Sequence, residues 1–252
     1  MGLSVALISK NEGKNIERTL EGISEIADEI ILIDSFSSDD TVNIAERFHC
    51  KIFQEEWKGF VEQKNSALEK CSMDWILFVD CDEVATPELR ESIKHILNNH
   101  SSQIAGYFIN RRSIYLGKIM KHSWQPDWKL RLVKKDANPK WIGTEVHEEL
   151  VIQGDTNKIK GELLHYSFPD LSTQYKKTIE YAKLSAKKYN NQNREFHFAS
   201  LLFNPISAFN KMYFFKLGFL DGIRGFLAAF SSLLGTFLKY AFLYEIKKEL
   251  EK

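Results

Sequence analysis

At residues 75–83 the chain reads Trp-Ile-Leu-Phe-Val-Asp-Cys-Asp-Glu. Five consecutive apolar residues are typical of a short strand that is buried on both faces of a sheet. Directly after this strand the chain carries three carboxylates, Asp80, Asp82 and Glu83. Because ligands of open α/β sheets bind beyond the carboxyl ends of the strands, the stretch predicts both a sheet and a functional site at its edge.

The segments around this strand alternate between two hydrophobic periods. Short apolar runs predict further strands, whereas apolar residues three and four apart predict helices between them. The predicted strands cover residues 3–8, 29–33, 51–54, 75–79 and 106–112, and the predicted helices cover residues 15–24, 40–48, 57–71 and 87–97. This order indicates an α/β fold with a mostly parallel sheet and helices on both of its faces.

The charge of the 252 residues sums to zero but is unevenly distributed. Residues 1–170 carry a net charge of −7, and residues 171–252 carry +7. The second region has helical spacing, and its largely apolar run 225–244 contains one charged residue, Lys239. We therefore predict an α/β domain at 1–170 and a helical, basic and apolar region at 171–252. Basic residues interleaved with apolar runs favour an anionic membrane surface as its partner, and not nucleic acid.

The chain has three cysteines, Cys50, Cys71 and Cys81, and none of them has C-x-x-C spacing. An odd number of cysteines without metal-ligand spacing is typical of a reducing compartment. The first apolar run, Leu3–Ile8, is too short for the core of a signal peptide. These features predict a cytoplasmic protein that lies peripherally on the inner face of the cytoplasmic membrane.

Carboxylates end two of the predicted strands. Asp34 follows the run 30–33, and Asp80 follows the run 76–79. Acids gathered at one sheet edge repel each other unless a cation neutralises them. A divalent cation that holds a diphosphate, Mg²⁺ or Mn²⁺, suits such a cluster, because it uses one or two carboxylates plus phosphate oxygens. Solvated loop acids are the alternative, which the position of both residues after buried strands disfavours.

Three segments resemble the family 2 glycosyltransferases of the GT-A fold: Ser4-Val-Ala-Leu-Ile-Ser-Lys-Asn-Glu12, Ile33-Asp-Ser-Phe-Ser-Ser-Asp-Asp-Thr41 and Phe78-Val-Asp-Cys-Asp-Glu83. The spacing resembles the lipopolysaccharide core β-1,4-glucosyltransferase branch in particular. The resemblance covers roughly residues 3–170, with a weaker match at 218–225. It implies an inverting, metal-assisted hexosyltransferase that moves glucose from UDP-glucose onto an inner-core sugar of lipopolysaccharide, a lipid-linked oligosaccharide acceptor.

The resemblance also implies roles for individual residues. Asp34 would accept a hydrogen bond from the uracil ring. Asp80 and Asp82 match the D-x-D motif, so that Asp80 would face the ribose and the metal and Asp82 would ligate the metal. The nucleotide would be lined by the loop after the first strand, in which the candidates are Ser9, Asn11 and Glu12.

An inverting transferase needs a general base for the acceptor hydroxyl. The segment Gln125-Pro-Asp-Trp-Lys-Leu-Arg-Leu132 resembles the x-E-D segment that carries the family's base, with Pro126 in place of Glu. Asp127 is then the predicted base, and the alternative is an Asp that starts a helix. If the segment is helical, Arg131 lies on the same face and orients Asp127 or contacts phosphate. Glu148 is the second candidate for the base.

Two histidines and one glycine complete the predicted site. His165 resembles the late histidine with which GT-A enzymes complete the metal site, and His147 is a second candidate ligand; a core histidine is the alternative for each. An imidazole beside two carboxylates makes a suitable Mn²⁺ or Mg²⁺ site. Gly117 would let the backbone approach the donor sugar.

Two other functions remain open at this point. A nucleotidyltransferase would carry a glycine-rich loop with Lys or Arg after the first strand, whereas Ser9–Gly13 holds a single glycine. A non-catalytic, membrane-tethered binding module would tolerate the loss of Asp82 or Asp127, and both are present. A Rossmann dehydrogenase is disfavoured, because no G-x-G-x-x-G follows the first strand.

Overall fold

The computed structural model describes residues 1–99, 103–144 and 147–250. Within them the strands are β1 (Leu3–Ser9), β2 (Glu29–Asp34), β3 (Lys51–Gln54), β4 (Trp75–Phe78), β5 (Glu83–Ala85), β6 (Gly106–Tyr115), β7 (Lys118–Ile119), β8 (Trp128–Lys134), β9 (Lys140–Thr144), β10 (His147–Val151) and β11 (Thr156–Phe168). The α-helices are α1 (Ile16–Ile23), α2 (Thr41–Arg47), α3 (Phe60–Lys70), α4 (Pro87–Asn98), α5 (Leu171–Asn191), α6 (Phe198–Asn210) and α7 (Ile223–Leu250). The predicted elements of the first hundred residues are therefore confirmed, with their ends shifted by up to three residues.

The main sheet has the strand order β3-β2-β1-β4-β8-β6-β11-β5, and β7 pairs with the end of β6. The first four strands of the chain pair in parallel, whereas β8 runs antiparallel to β4 and to β6, and β5 antiparallel to β11. The α/β class is confirmed, and the sheet is mixed. Its antiparallel half has a physical reason, because within the described residues 106–144 and 147–168 no helix is long enough for a parallel crossover.

Both faces of β1, β2 and β4 are buried, which explains their apolar runs. Val5 and Leu7 of β1 belong to one cluster, with Leu20 of α1 and Ile93 of α4. Ala6, between them, faces the second cluster, which is formed with α3 and with the β9–β10 hairpin. Layers on both faces hold the carboxyl ends of β1, β2 and β4 in a fixed arrangement.

The chain divides into two compact units. The first unit comprises residues 1–111 and 127–165, and the second comprises 112–126 and 166–252. The predicted domains at 1–170 and 171–252 stay a prediction, and in this division residues 112–126 belong to the unit that contains the helical region. These residues make their long-range contacts with the helical region, which local sequence patterns do not show.

A turn before α7 joins the helices of the second unit to its N-terminal segment. Asp221 accepts hydrogen bonds from the backbone N–H groups of residues 121–123, at 2.9–3.1 Å, and from the Ser123 hydroxyl at 3.0 Å. Arg224 donates to the carbonyl oxygen of Leu116 at 2.9 and 3.2 Å. Two charged side chains, Asp221 in the turn and Arg224 in the first turn of α7, therefore fix the backbone of a segment about a hundred residues earlier.

We expect Gly225→Ala to destabilise the second unit. A Cβ at Gly225 would overlap the carbonyl oxygen of Gly218, which belongs to the same turn and cannot yield as a flexible side chain can. Overpacking of this kind costs about 1–3 kcal/mol, and the midpoint of thermal unfolding should fall by several degrees. Gly235→Ala is the matched control in the same helix, because its Cβ would meet only a side-chain methyl of Thr178 at 3.1 Å. Equal melting temperatures for the two variants would contradict this packing.

Candidate functional site

Asp34 holds together the two loops that follow β1 and β2. Its carboxylate is fully buried and accepts the Ser9 hydroxyl at 2.8 Å and the backbone N–H of Ser37 at 2.9 Å. Asn11 accepts the backbone N–H of Ser38 at 2.8 Å and thereby ties the first loop to the second. The structure thus brings Ser9, Asn11 and Asp34 together at the carboxyl ends of adjacent strands, as expected. In this arrangement Asp34 contacts its own loops, and its contact with uracil stays a prediction.

Glu12 lies at the far end of the same loop. Its backbone N–H donates to the Thr41 hydroxyl at 2.8 Å, and its carboxylate accepts the Asn15 side chain at 2.9 Å. The next residue, Gly13, donates its N–H to Asp39 at 2.9 Å. These bonds define the conformation of a loop that is otherwise without regular structure.

The first D-x-D carboxylate is ion-paired on both of its oxygens. Asp80 contacts Arg131 at 2.7 Å through one oxygen and Lys64 at 3.3 Å through the other. Both cations are almost completely buried, with 4% and 6% of their side chains exposed. Burial by itself raises the pKa of Asp80, but Arg131 and Lys64 hold that pKa well below its usual value. Asp80 is therefore an anion whose orientation is fixed from two sides.

Arg131 lies on strand β8, so the expectation that it shares a helical face with Asp127 is wrong. It contacts Asp80 and, at 3.0 Å, the fully buried Glu83. Glu83 in turn faces Arg111 at 3.7 Å, and Arg111 pairs with Asp127 at 2.8 Å. A continuous line of alternating charges therefore leads from the D-x-D motif to the predicted base.

Two nitrogens of Arg131, Nε and Nη1, are buried and have no hydrogen-bond partner in the described part of the chain. Unmet donors of a buried guanidinium are costly, which indicates that an acceptor completes them. A cavity of about 10 Å³, lined by Arg131, Lys64 and Asp80, lies beside them. That volume fits one water molecule and no phosphate. Arg131 is accordingly a positioning residue of the carboxylates.

His165 and Asp82 lie together, as expected for two metal ligands. Strand β11 pairs with β5 so that His165 lies opposite Glu83, and its Nε2 is 3.2 Å from a carboxylate oxygen of Asp82. Both side chains are partly exposed, so a cation from solvent can reach the pair. The pair fits Mn²⁺ or Mg²⁺ chemically. The described residues contain no group of three or more His, Cys, Asp or Glu arranged to hold a metal ion.

Two other predicted site residues are placed differently. Gly117 belongs to the second unit, where Leu116 and Gly117, both with positive φ, form the tight turn of the β6–β7 hairpin. The turn accounts for this glycine, and its contact with a donor sugar stays a prediction. The side chain of His147 lies outside the described residues, so its role as a ligand also stays a prediction.

Comparison with known proteins identifies the family. The model of the family described as Glycosyl transferase family 2 matches residues 4–209. The chain belongs to glycosyl transferase family 2. The expected GT-A fold is therefore confirmed, and the assignment of Asp80-Cys-Asp82 as its D-x-D motif stays a prediction.

Several relatives resemble this glycosyltransferase over almost its whole length. An uncharacterized glycosyltransferase of Rickettsia typhi is 30% identical over 97% of this chain and 87% of its own. The lipopolysaccharide core biosynthesis glycosyltransferase LpsC of Rhizobium meliloti is 28% identical over 96% of this chain and 92% of its own. Among solved structures, residues 1–349 of S. aureus TarS cover 99% of this chain at 14% identity and a TM-score of 0.49, and the alignment covers 92% of that structure.

The two candidate bases of this glycosyltransferase have different surroundings. Asp127 contacts Arg111 at 2.8 Å and Lys129 at 3.1 Å. Burial raises the pKa of Asp127, but these two cations outweigh burial and keep the pKa below its usual value. Glu148, on β10, contacts Lys64 at 3.2 Å, the same lysine that contacts Asp80. Asp127 is therefore connected to the ion pairs around Asp80 through Arg111, and Glu148 is connected to them through Lys64.

Three charged residues of this cluster were missed in the sequence analysis. Glu83 was noted only as a neighbour of the D-x-D motif, although a third acid within four residues after a buried strand is a usable signal. Lys64 lies on the buried side of α3, and its ammonium group is 4.5 Å from the ring centre of Trp141. No local sequence pattern marks Lys64 or Arg111 as a site residue. Each of them reaches the site only because elements distant in the sequence pack together.

Proposed function

We propose that this glycosyltransferase transfers glucose from UDP-glucose, with inversion at the anomeric carbon, onto an inner-core sugar of lipopolysaccharide. The observation that carries the proposal is the convergence of Asp82 and His165, 3.2 Å apart, beside the ion-paired Asp80 at the carboxyl edge of the sheet. The similarity to LpsC, which is named for lipopolysaccharide core biosynthesis, supports the acceptor class.

On the donor side of the proposed site, one set of residues would bind the nucleotide and the cation, and another set holds these residues in position. Ser9, Asn11 and Glu12 lie in the loop that would cover the nucleoside, and Asp34 fixes this loop from beneath. Asp82 and His165 would hold a divalent cation, which supplies charge neutralisation for the departing diphosphate when it is bound. Arg131 and Lys64 keep Asp80 ionised and oriented toward the same edge.

The acceptor side needs one proton acceptor. In the proposed transfer, a carboxylate of the protein takes the proton of the acceptor hydroxyl, whose oxygen forms the new bond to C1 of the sugar. The bond between C1 and the diphosphate oxygen breaks on the opposite face, and UDP carries away the electron pair. Asp127 is the first candidate for the carboxylate and Glu148 the second. The growing core is a lipid-linked acceptor, which places the reaction at the inner face of the cytoplasmic membrane.

Release of UDP from a panel of UDP-sugars tests this function. With Mn²⁺ present and no acceptor, we expect slow hydrolysis that is fastest with UDP-glucose and lost on chelation by EDTA. A nucleotidyltransferase would instead release pyrophosphate from a nucleoside triphosphate and a sugar phosphate. A binding module would protect the chain against thermal unfolding with a UDP-sugar but release no UDP. Either result, or a clear preference for another UDP-hexose, would contradict the proposal.

A further inference from the structure

The helical region exposes large apolar side chains in one stretch of the chain. Helix α6 and the π-helical turn after it, at residues 211–215, carry six of them. Their exposed fractions lie between 47% and 81%. We call this set the apolar face, and it consists of Phe198, Leu202, Phe203, Ile206, Phe214 and Phe215. Contiguous apolar exposure of this kind marks an interaction surface, because single exposed residues are scattered in ordinary proteins.

The apolar face follows from the geometry of α6. Its four residues on that helix are spaced by four, one and three positions, so they form one stripe along the helix. Another side of α6 packs on α7, where Asn204 donates to the Tyr240 hydroxyl at 2.7 Å, whereas the four residues of the stripe are 47–66% exposed. The stripe is therefore directed away from the helices of its own unit.

The segment that carries the apolar face, residues 196–220, has charged residues of one sign, and the pair Arg194-Glu195 directly precedes it. Residues 196–220 contain no Asp or Glu, and they contain Lys211 and Lys216. The next acid, Asp221, is engaged by the backbone N–H groups of residues 121–123. Apolar and aromatic side chains bordered by lysines match the boundary between acyl chains and anionic headgroups.

Helix α7, where the sequence analysis placed membrane contact, has another role in this arrangement. It is the one helix in the described ranges that is long and apolar enough to cross a bilayer, with a mean hydropathy of 1.5 over an 18-residue window within residues 223–249. It packs against α5, where Thr178 and Ser231 are 3.0 Å apart and Lys239 donates to the Tyr189 hydroxyl at 3.3 Å. A spanning α7 would have to give up these contacts and those with α6.

A second copy of the chain fits the apolar face less well than a bilayer does. Around a two-fold axis the face would meet itself, so the lysines that border it would approach each other without an acid in the face to pair with. An anionic lipid surface supplies the missing negative charge. Charge complementarity therefore favours an anionic bilayer over a second copy of the chain as the partner of the apolar face.

We propose that the apolar face inserts into the headgroup boundary of an anionic bilayer, with Lys211 and Lys216 at the lipid phosphates, while α7 supports α6 and does not span. The inference rests on the proposed function in one respect. Contact with the membrane is useful because the proposed lipid-linked acceptor lies in the same membrane surface. Peripheral insertion of this kind reaches about 5–10 Å into the boundary region.

Co-sedimentation of the full chain with lipid vesicles tests the surface. The probes are vesicles of mixed phosphatidylglycerol and phosphatidylcholine, and vesicles of phosphatidylcholine alone. We expect binding to the anionic vesicles, and a loss of about tenfold or more for the double variant Phe203→Ser/Phe215→Ser, since burial of each phenylalanine is removed. The matched control is Ile179→Ser/Tyr181→Ser on α5, two exposed apolar residues of the same unit that lie outside the face. The control should bind as the unaltered chain does.

The charge reversal Lys211→Glu/Lys216→Glu should abolish the preference for anionic vesicles, whereas Lys187→Glu/Lys188→Glu on α5 should weaken it much less. Equal binding of the serine variant and its control would overturn the proposal. So would resistance of the bound protein to alkaline carbonate, which indicates a spanning helix, or a dimer that only the face variants dissociate. UDP release without lipid, measured on every variant, separates the two hypotheses. Its absence with intact vesicle binding contradicts the proposed function alone, and its persistence without vesicle binding contradicts the lipid surface alone.

Discussion

Asp82→Ala is expected to abolish metal-dependent UDP binding and leave the fold intact. Asp82 is partly exposed, and its one ion pair described in the structure is with His165. Its removal therefore deletes a candidate ligand without leaving a buried charge uncompensated. Asp80→Ala is a poorer test, because it removes one of the two carboxylates that pair with each of the buried cations Arg131 and Lys64, and breaking a buried ion pair costs about 3–5 kcal/mol.

Isothermal titration calorimetry with UDP, with and without Mn²⁺, measures this effect. The unaltered chain should bind UDP more tightly when Mn²⁺ is present, and the Asp82→Ala variant should show the same weak affinity under both conditions. Asp136→Ala removes an exposed acid of the same unit and serves as the control. A metal-dependent gain that survives in Asp82→Ala would show that the cation is held elsewhere.

The second large effect is expected from Asp127→Asn, which should lower turnover about 10²-fold or more with little change in donor binding. The substitution keeps the size of the side chain but removes its basicity. Because Arg111 and Lys129 keep the pKa of Asp127 below its usual value, the carboxylate is ionised at neutral pH and ready to accept a proton. The expected pH profile therefore loses activity only on its acid side.

Glu148→Gln is the paired experiment. Glu148 shares Lys64 with Asp80, so its loss should weaken donor binding and raise KM for the UDP-sugar more than it lowers kcat. The split between kcat and KM distinguishes the two carboxylates even if both variants lose activity. An inactive Glu148→Gln beside an active Asp127→Asn would exchange the two roles.

The sequence predicts the parallel half of the sheet well, because β1, β2 and β4 each contain an apolar run of at least four residues. It also predicts the two carboxylates at strand ends, Asp34 and Asp80, for the same local reason. The meeting of His165 with Asp82 was expected from family resemblance, since nothing local relates residues 83 positions apart.

The expectation that Arg131 lies on a helix, where the structure has strand β8, could have been avoided. Trp128, Leu130 and Leu132 alternate with Lys129 and Arg131, and a period of two indicates a strand. The position of Lys64 and Arg111 was not predictable in this way, because their role depends on which strands and helices pack around Asp80. A buried cation without an adjacent acid in the sequence looks like any surface cation until its partner is known.

The turn that contains Asp221 has a consequence for biosynthesis. Its partners, the backbone groups of residues 121–123, are made about a hundred residues earlier, and a ribosome needs roughly 5–20 s to add that many residues. During this time Tyr115 and Met120, which are buried in the finished protein with Ala228 of α7, have not yet met that partner. A polypeptide that stops near residue 170 never acquires these partners. Shortening the chain there should yield an aggregating product instead of an isolated catalytic domain.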